Sequence, residues 1–184
     1  MRTAIVVAIV VLLLVGVFLH YRSKPSEGIR VPPAPANIPL ITAPVGPEYA
    51  YPSRDLTPGA IDRSITEDNI QSTICVPGYT KRVRPQERIT NRLKRQIMAA
   101  YGRSGDLRDY ELDHFIPLEL GGCADCVTNL WPEAYNPAPG AKQKDRVENA
   151  LHRQVCSGEI TLKEAQDAIR NDWVKGYDHI SSDQ

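Results

Sequence analysis

The sequence has no net charge: 22 lysines and arginines balance 22 acids across 184 residues. Bulk charge therefore says nothing about partners, and only its distribution can. The Cys123-x-x-Cys126 pair has no second CxxC to complete a zinc knuckle. The apolar run near the amino terminus is not followed by small residues. HYRSK comes next, and Ala34-Pro35-Ala36 lies too far downstream to serve as a cleavage site. That favours an uncleaved anchor over a signal peptide. The proline-rich stretch behind it lacks a clean PxxP cluster with basic flanks, which leaves a plain spacer. No internal repeat is present.

What is there divides the chain into four parts. Thr3 to Leu19 carries no charge over seventeen residues. As a helix it would span roughly 25 Å, against a hydrocarbon core of about 30 Å. The reading is a transmembrane anchor over 1–21, a proline-rich linker over 22–56, a folded domain over 57–177 and a tail over 178–184. Nine prolines between Arg22 and Pro58 make the linker an extended tether. Four cysteines are compatible with two disulfides. Cys123 and Cys126 are close enough to bridge locally, which would leave Cys75 with Cys156. A zinc site built from the CxxC and the two distant cysteines, or unpaired thiols, stays open. The charges flanking the anchor favour a cytoplasmic body. The cysteines favour an oxidising compartment, and the domain is expected on the periplasmic or extracellular side.

Within the domain, Thr66 opens a short helix toward Ser72, and Tyr79 to Val83 reads as a short strand. Pro85 begins a helix to about Tyr101, stopped by Gly102, with Ile89, Leu93, Ile97 and Ala100 on one face. Lys81 to Arg103 contains eight basic residues and one acid, Glu87. Arg88, Arg92 and Arg95 on the opposite helix face suit a phosphate backbone, beside the blander reading of a solvated face. Tyr110 to Asp113 alternates as a strand ending at His114. Asn129-Leu130-Trp131 is a second strand, and Pro132 to Gly140 a loop. Ala141 to about Cys156 is a helix with Val147, Ala150, Leu151 and Val155 on its apolar face. Thr161 and Glu164 form a capping box for a last helix that ends at Gly176. The fold class is α+β, mostly helical.

The centre of the chain is Tyr110 to Asn136, YELDHFIPLELGGCADCVTNLWPEAYN. Asp113-His114 offers a hard oxygen ligand beside an imidazole that takes a proton near neutral pH. That is the minimum set for metal-assisted phosphodiester hydrolysis. A strand ending in Asp-His, a loop, a strand starting with Asn and a helix make a ββα unit. Asp113-His114, Pro117, Gly121-Gly122, Asn129-Leu130 and Asn136 together resemble the His-Asn-His (HNH, or ββα-metal) endonuclease motif. The runs TICVPGYTKRVRP, YELDHFIPLELGG, NLWPE, KDRVENALH and VCSGEITLKEAQ are similar to those of bacterial proteins with an HNH-like domain. The resemblance covers about Thr57 to Trp173.

This resemblance implies a small ββα-metal core with flanking helices and a metal-dependent endonuclease. His114 would be its general base, and Asn129 would orient that histidine or pin the loop. One divalent ion, magnesium by expectation, would sit between Asp113 and Asn136. Lys144 and Arg146, early in the following helix, would hold flanking phosphates of DNA more readily than RNA. One departure from the motif is that Asn136 precedes Pro137-Ala138-Pro139-Gly140, ahead of the helix. Asp145 or Glu148 is the alternative second ligand. No helix-turn-helix or zinc finger is recognisable, so low sequence specificity is expected. Two other functions compete: an HNH-fold module that binds nucleic acid without cutting it, and a disulfide-braced envelope protein that binds another protein.

Overall fold

The computed structural model describes residues 47–85 and 87–182, with the side chains of 47–48, 87–90 and 179–182 outside that description. The predicted anchor and most of the predicted linker lie outside the described residues. Among the described residues no helix is long and apolar enough to cross a membrane. The class is α+β and mostly helical, around one two-stranded sheet.

The sheet is an antiparallel pair. Strand β1 (Tyr110–His114) lies against β2 (Leu130–Ala134), with Tyr110 opposite Ala134 and His114 opposite Leu130. Sequence reasoning ended the second strand before Pro132. The ladder explains why that proline is tolerated. The Tyr135 N–H donates to the Asp109 carbonyl at 3.0 Å and the Phe115 N–H to the Asn129 carbonyl at 2.8 Å. Bonded pairs therefore fall at 109, 111, 113 and 115, and Leu112 opposite Pro132 is a pair that exchanges no bonds.

Tyr79–Val83 forms a helical turn, α1, and not the expected strand. Gly78 enters it with φ +79°, a conformation that glycine adopts without steric cost. Tyr79, Thr80 and Val83 are half-buried and Lys81 and Arg82 exposed, the pattern of one helical turn. Helix α2 (Glu87–Ala100) buries Leu93, Ile97 and Ala100 as expected. Arg92 and Arg95 lie on its exposed side.

Helix α3 (Ala141–Ser157) buries Val147 and Val155, while Ala150 and Leu151 are only half-buried. Helix α4 (Leu162–Ser182) opens on the predicted capping box. The Glu164 N–H donates to Thr161 Oγ1 at 3.1 Å, and the Thr161 N–H donates to Glu164 Oε2 at 2.8 Å. It does not stop at Gly176. Its break falls at Asp172, whose carboxylate accepts the Lys175 N–H at 3.1 Å and so caps the segment that follows. Gly176 serves close packing, since a Cβ there would lie 3.2 Å from Val147 of α3. The packed region also begins earlier than residue 57. Tyr49 and Ala50 are buried, and the Trp173 indole N–H donates to the Ala50 carbonyl at 2.8 Å. A buried indole needs such an acceptor, and this one comes from a stretch whose prolines suggested a tether.

Both disulfides are formed, Cys75–Cys156 and Cys123–Cys126. The first spans 81 residues and ties the segment before α1 to the end of α3. Replacing Cys75 and Cys156 together by serine should cost about 2–4 kcal/mol, because the loop they close is long. A urea titration would register this as a lower midpoint.

Candidate functional site at the end of the hairpin

The loop between the strands is held by one side chain. Asn129 is fully buried. Its Oδ1 accepts the Ile116 N–H at 2.9 Å, and its Nδ2 donates to the carbonyls of Ile116 at 2.9 Å and Cys123 at 3.1 Å. Gly122 makes room for this clamp. A Cβ there would meet the Ile116 carbonyl oxygen at 1.8 Å and Asn129 Nδ2 at 2.8 Å. The Cys123–Cys126 bridge closes the same loop.

That loop presents the Ala124 carbonyl to His114. His114 Nε2 lies 2.9 Å from the Ala124 oxygen. A carbonyl only accepts, so Nε2 carries the proton and Nδ1 is left with the lone pair. Burial, foremost, pushes the imidazole below its ordinary pKa, and the charges of Arg84 and Lys144 push the same way. The Ala124 hydrogen bond and Asp113 oppose this without reversing it. His114 is thus a neutral base near pH 7, oriented by a loop that Asn129 pins. Asn129 acts on the loop and makes no hydrogen bond to the histidine itself.

Neighbouring strand residues point to opposite faces, so Asp113 turns toward α3. There it meets Lys144, which is 1% exposed. Lys144 Nζ donates to Asp113 Oδ2 at 2.6 Å, to the His114 carbonyl at 3.1 Å and to Glu148 Oε1. Glu133 of β2, also 1% exposed, feels the charges of Lys144, Asp113 and Glu148. It receives no hydrogen from the ammonium, and its polar neighbour is the Asp113 carboxyl, with which it shares a proton.

Three carboxyls therefore surround one ammonium. Burial pushes Glu133 well above the usual range and Glu148 up to about 8, in both cases against the pull of Lys144. Burial also raises Asp113, but Lys144, helped by His114 and a hydrogen bond from Glu133, outweighs it and holds Asp113 below the usual carboxylate range. Burial disfavours the Lys144 charge, yet Asp113, Glu148 and Glu133 together keep it firmly protonated.

The remaining predicted residues fall elsewhere. Lys144 does not reach out to phosphates, because its three donors are all engaged inside. Arg146 is exposed and lies over the Tyr177 ring at 5.5 Å. Two residues apart on a helix, Lys144 and Arg146 do not face each other. Asn136 is exposed and lies two residues beyond Ala134, past the Tyr110 end of the ladder, whereas Asp113 pairs with Trp131 near the other end. The side chain of Arg88 lies outside the described residues.

Arg84, which sequence reasoning did not single out, is exposed just after α1, and its charge acts on His114, Glu111 and Asp145. Glu133 was missed because its strand was taken to end at Trp131. The alternation of Asp113 with its cross-strand neighbours would have placed it on the same face.

A divalent ion shared by Asp113 and Asn136 does not fit this arrangement, since Asp113 is engaged by Lys144 and Asn136 is remote. Among the described residues two other groups could hold a metal ion: Cys75 with His152 and Cys156, and Cys123 with Asp125 and Cys126. In both, the cysteines are bonded to each other as disulfides. A sulfur in a disulfide is not the thiolate that such an ion takes as ligand. No protein-family model matches the chain, and no curated protein or solved structure matches it.

Proposed function

We propose that the chain is an endonuclease of the HNH type, in which His114 is the general base for phosphodiester hydrolysis of nucleic acid, DNA above RNA. The observation that carries this reading is the histidine itself, neutral, tied through Nε2 to the Ala124 carbonyl and left with a basic Nδ1. Nδ1 would take a proton from water as the water attacks phosphorus; the bond from phosphorus to one ester oxygen breaks, and that oxygen leaves as a hydroxyl with a proton from solvent. Arg84 would set positive charge beside the phosphate. The donors present do not fit a metal ion at Asp113, whose carboxylate Lys144 engages, so the attack rests on His114 and Arg84. The strand–loop–strand–helix order of β1, β2 and α3 supports the ββα core that the motif implies. Two disulfides support an oxidising compartment, and the apolar segment 3–19 would tether the domain outside the cytoplasm.

The test is incubation of the full chain with supercoiled plasmid and, separately, with single-stranded RNA. Cleavage that disappears in His114→Ala supports the reading, and intact substrate under all conditions sinks it. A second reading, binding without cleavage, is favoured by the complete engagement of Asp113. In either case Arg92 and Arg95 on α2 should contact phosphates. Replacing both by alanine should weaken DNA binding and lower the slope of log affinity against log salt by about 2. An unchanged slope would mean that this helix face is merely solvated.

A further inference from the structure

The cage around Lys144 carries an inference that stands apart from the nuclease reading. Asp113 comes from β1, Glu133 from β2 and Glu148 from α3, and they converge on a point held by Nζ. Carboxylate oxygens are the donors that hard divalent cations prefer. An ammonium has three hydrogens to donate, and here each has an acceptor: Asp113 at 2.6 Å, the His114 carbonyl at 3.1 Å and Glu148. Glu133 is the odd member. It is 1% exposed, takes none of the three ammonium hydrogens, and is left with the Asp113 carboxyl and the pull of the Lys144 charge. The cage therefore holds more oxygen donors than one ammonium can satisfy. A divalent ion would use the surplus, but the lysine stem occupies the place.

We propose that the Lys144 ammonium is the resident cation of this cage. The native chain then binds no divalent ion there. Shortening Lys144 opens a site for a cation of the magnesium and manganese class on Asp113, Glu133 and Glu148. A tethered ammonium cannot be chelated away, so the support it gives to the end of β1, including the His114 carbonyl, persists in EDTA.

The experiment is a manganese titration of the full chain in neutral detergent under non-reducing conditions, with free Mn²⁺ read by electron paramagnetic resonance. Non-reducing conditions keep all four cysteines in disulfides. Wild type should show no saturable site below about 1 mM, the weak end of protein carboxylate sites. Lys144→Ala should bind one Mn²⁺ at least tenfold more tightly than wild type, and Lys144→Ala with Glu133→Gln should lose that gain. Lys144→Met, which keeps most of the stem volume, serves if the alanine variant does not fold. Should neither fold alone, recovery of helical circular dichroism on adding Mn²⁺ supports the proposal, and failure to recover counts against it.

One Mn²⁺ bound by wild type and lost in Glu133→Gln would overturn the proposal, since the ammonium would then yield to the ion. Folded Lys144 variants that bind no better than wild type would overturn it equally. Plasmid cleavage, run in parallel, reports on the nuclease reading alone. A silent cleavage assay beside the expected titration removes that reading and leaves this one standing.

Discussion

Replacing His114 by alanine should lower the cleavage rate by about 100- to 10,000-fold, the usual contribution of a general base. His114→Gln should do the same with less disturbance. The glutamine amide can still donate to the Ala124 carbonyl, which His114 Nε2 meets at 2.9 Å, but it cannot take a proton from water. If both variants keep the wild-type denaturation midpoint and both lose activity, the loss belongs to the missing base and not to the fold. A glutamine variant that retains activity would move the base elsewhere.

The second large effect belongs to Asn129. Alanine there removes three hydrogen bonds at once, leaving the Ile116 N–H and the Ile116 and Cys123 carbonyls without their partner. An abandoned buried polar group costs about 1–3 kcal/mol, so the three together should cost about 3–9 kcal/mol in a urea titration. Aspartate is no rescue. Its carboxylate can accept from the Ile116 N–H but cannot donate to either carbonyl. Cleavage should fall as well, since residue 124, which orients His114, follows directly on the Cys123 carbonyl that Asn129 holds. A stable, fully active Asn129→Ala would show that the clamp is dispensable.

The parts of the fold that were legible in the sequence are those whose signal is local. The period of α2 and the capping box of α4 each announce themselves within a few residues, and both are present. Asp113-His114 ends a strand as its alternation suggests. What was not legible depended on partners distant in sequence. Pro132 is acceptable in β2 only because of the ladder's phase, and that phase is set by bonds at Asp109 and Phe115. Tyr49 and Ala50 read as spacer until Trp173, more than a hundred residues on, supplies their packing.

The site divides in the same way. The motif order picked out His114, which bonds to the Ala124 carbonyl, and Asn129, which clamps the loop that carries it. It also placed Lys144 and Asn136 by spacing from the motif. Spacing carries no information about which side of α3 meets the hairpin, or about how far the register carries Asn136 from Asp113. Only with β1 and α3 packed together does Lys144 become an internal counterion. Arg84 was one of eight basic residues in a run, and its position after α1 is what separates it from the others.

The most direct test of the central claim is the pH dependence of plasmid cleavage by the full chain, in EDTA, for wild type and His114→Gln. Burial, Arg84 and Lys144 all disfavour the imidazolium, so His114 stays a free base to a pH below the ordinary value of about 6.5. Wild-type cleavage should be flat near neutrality and fall as pH drops through a midpoint below about 6.5. The glutamine variant should be slow at every pH and show no such fall. An acid limb that survives in His114→Gln, or no cleavage by wild type at any pH, would contradict the account.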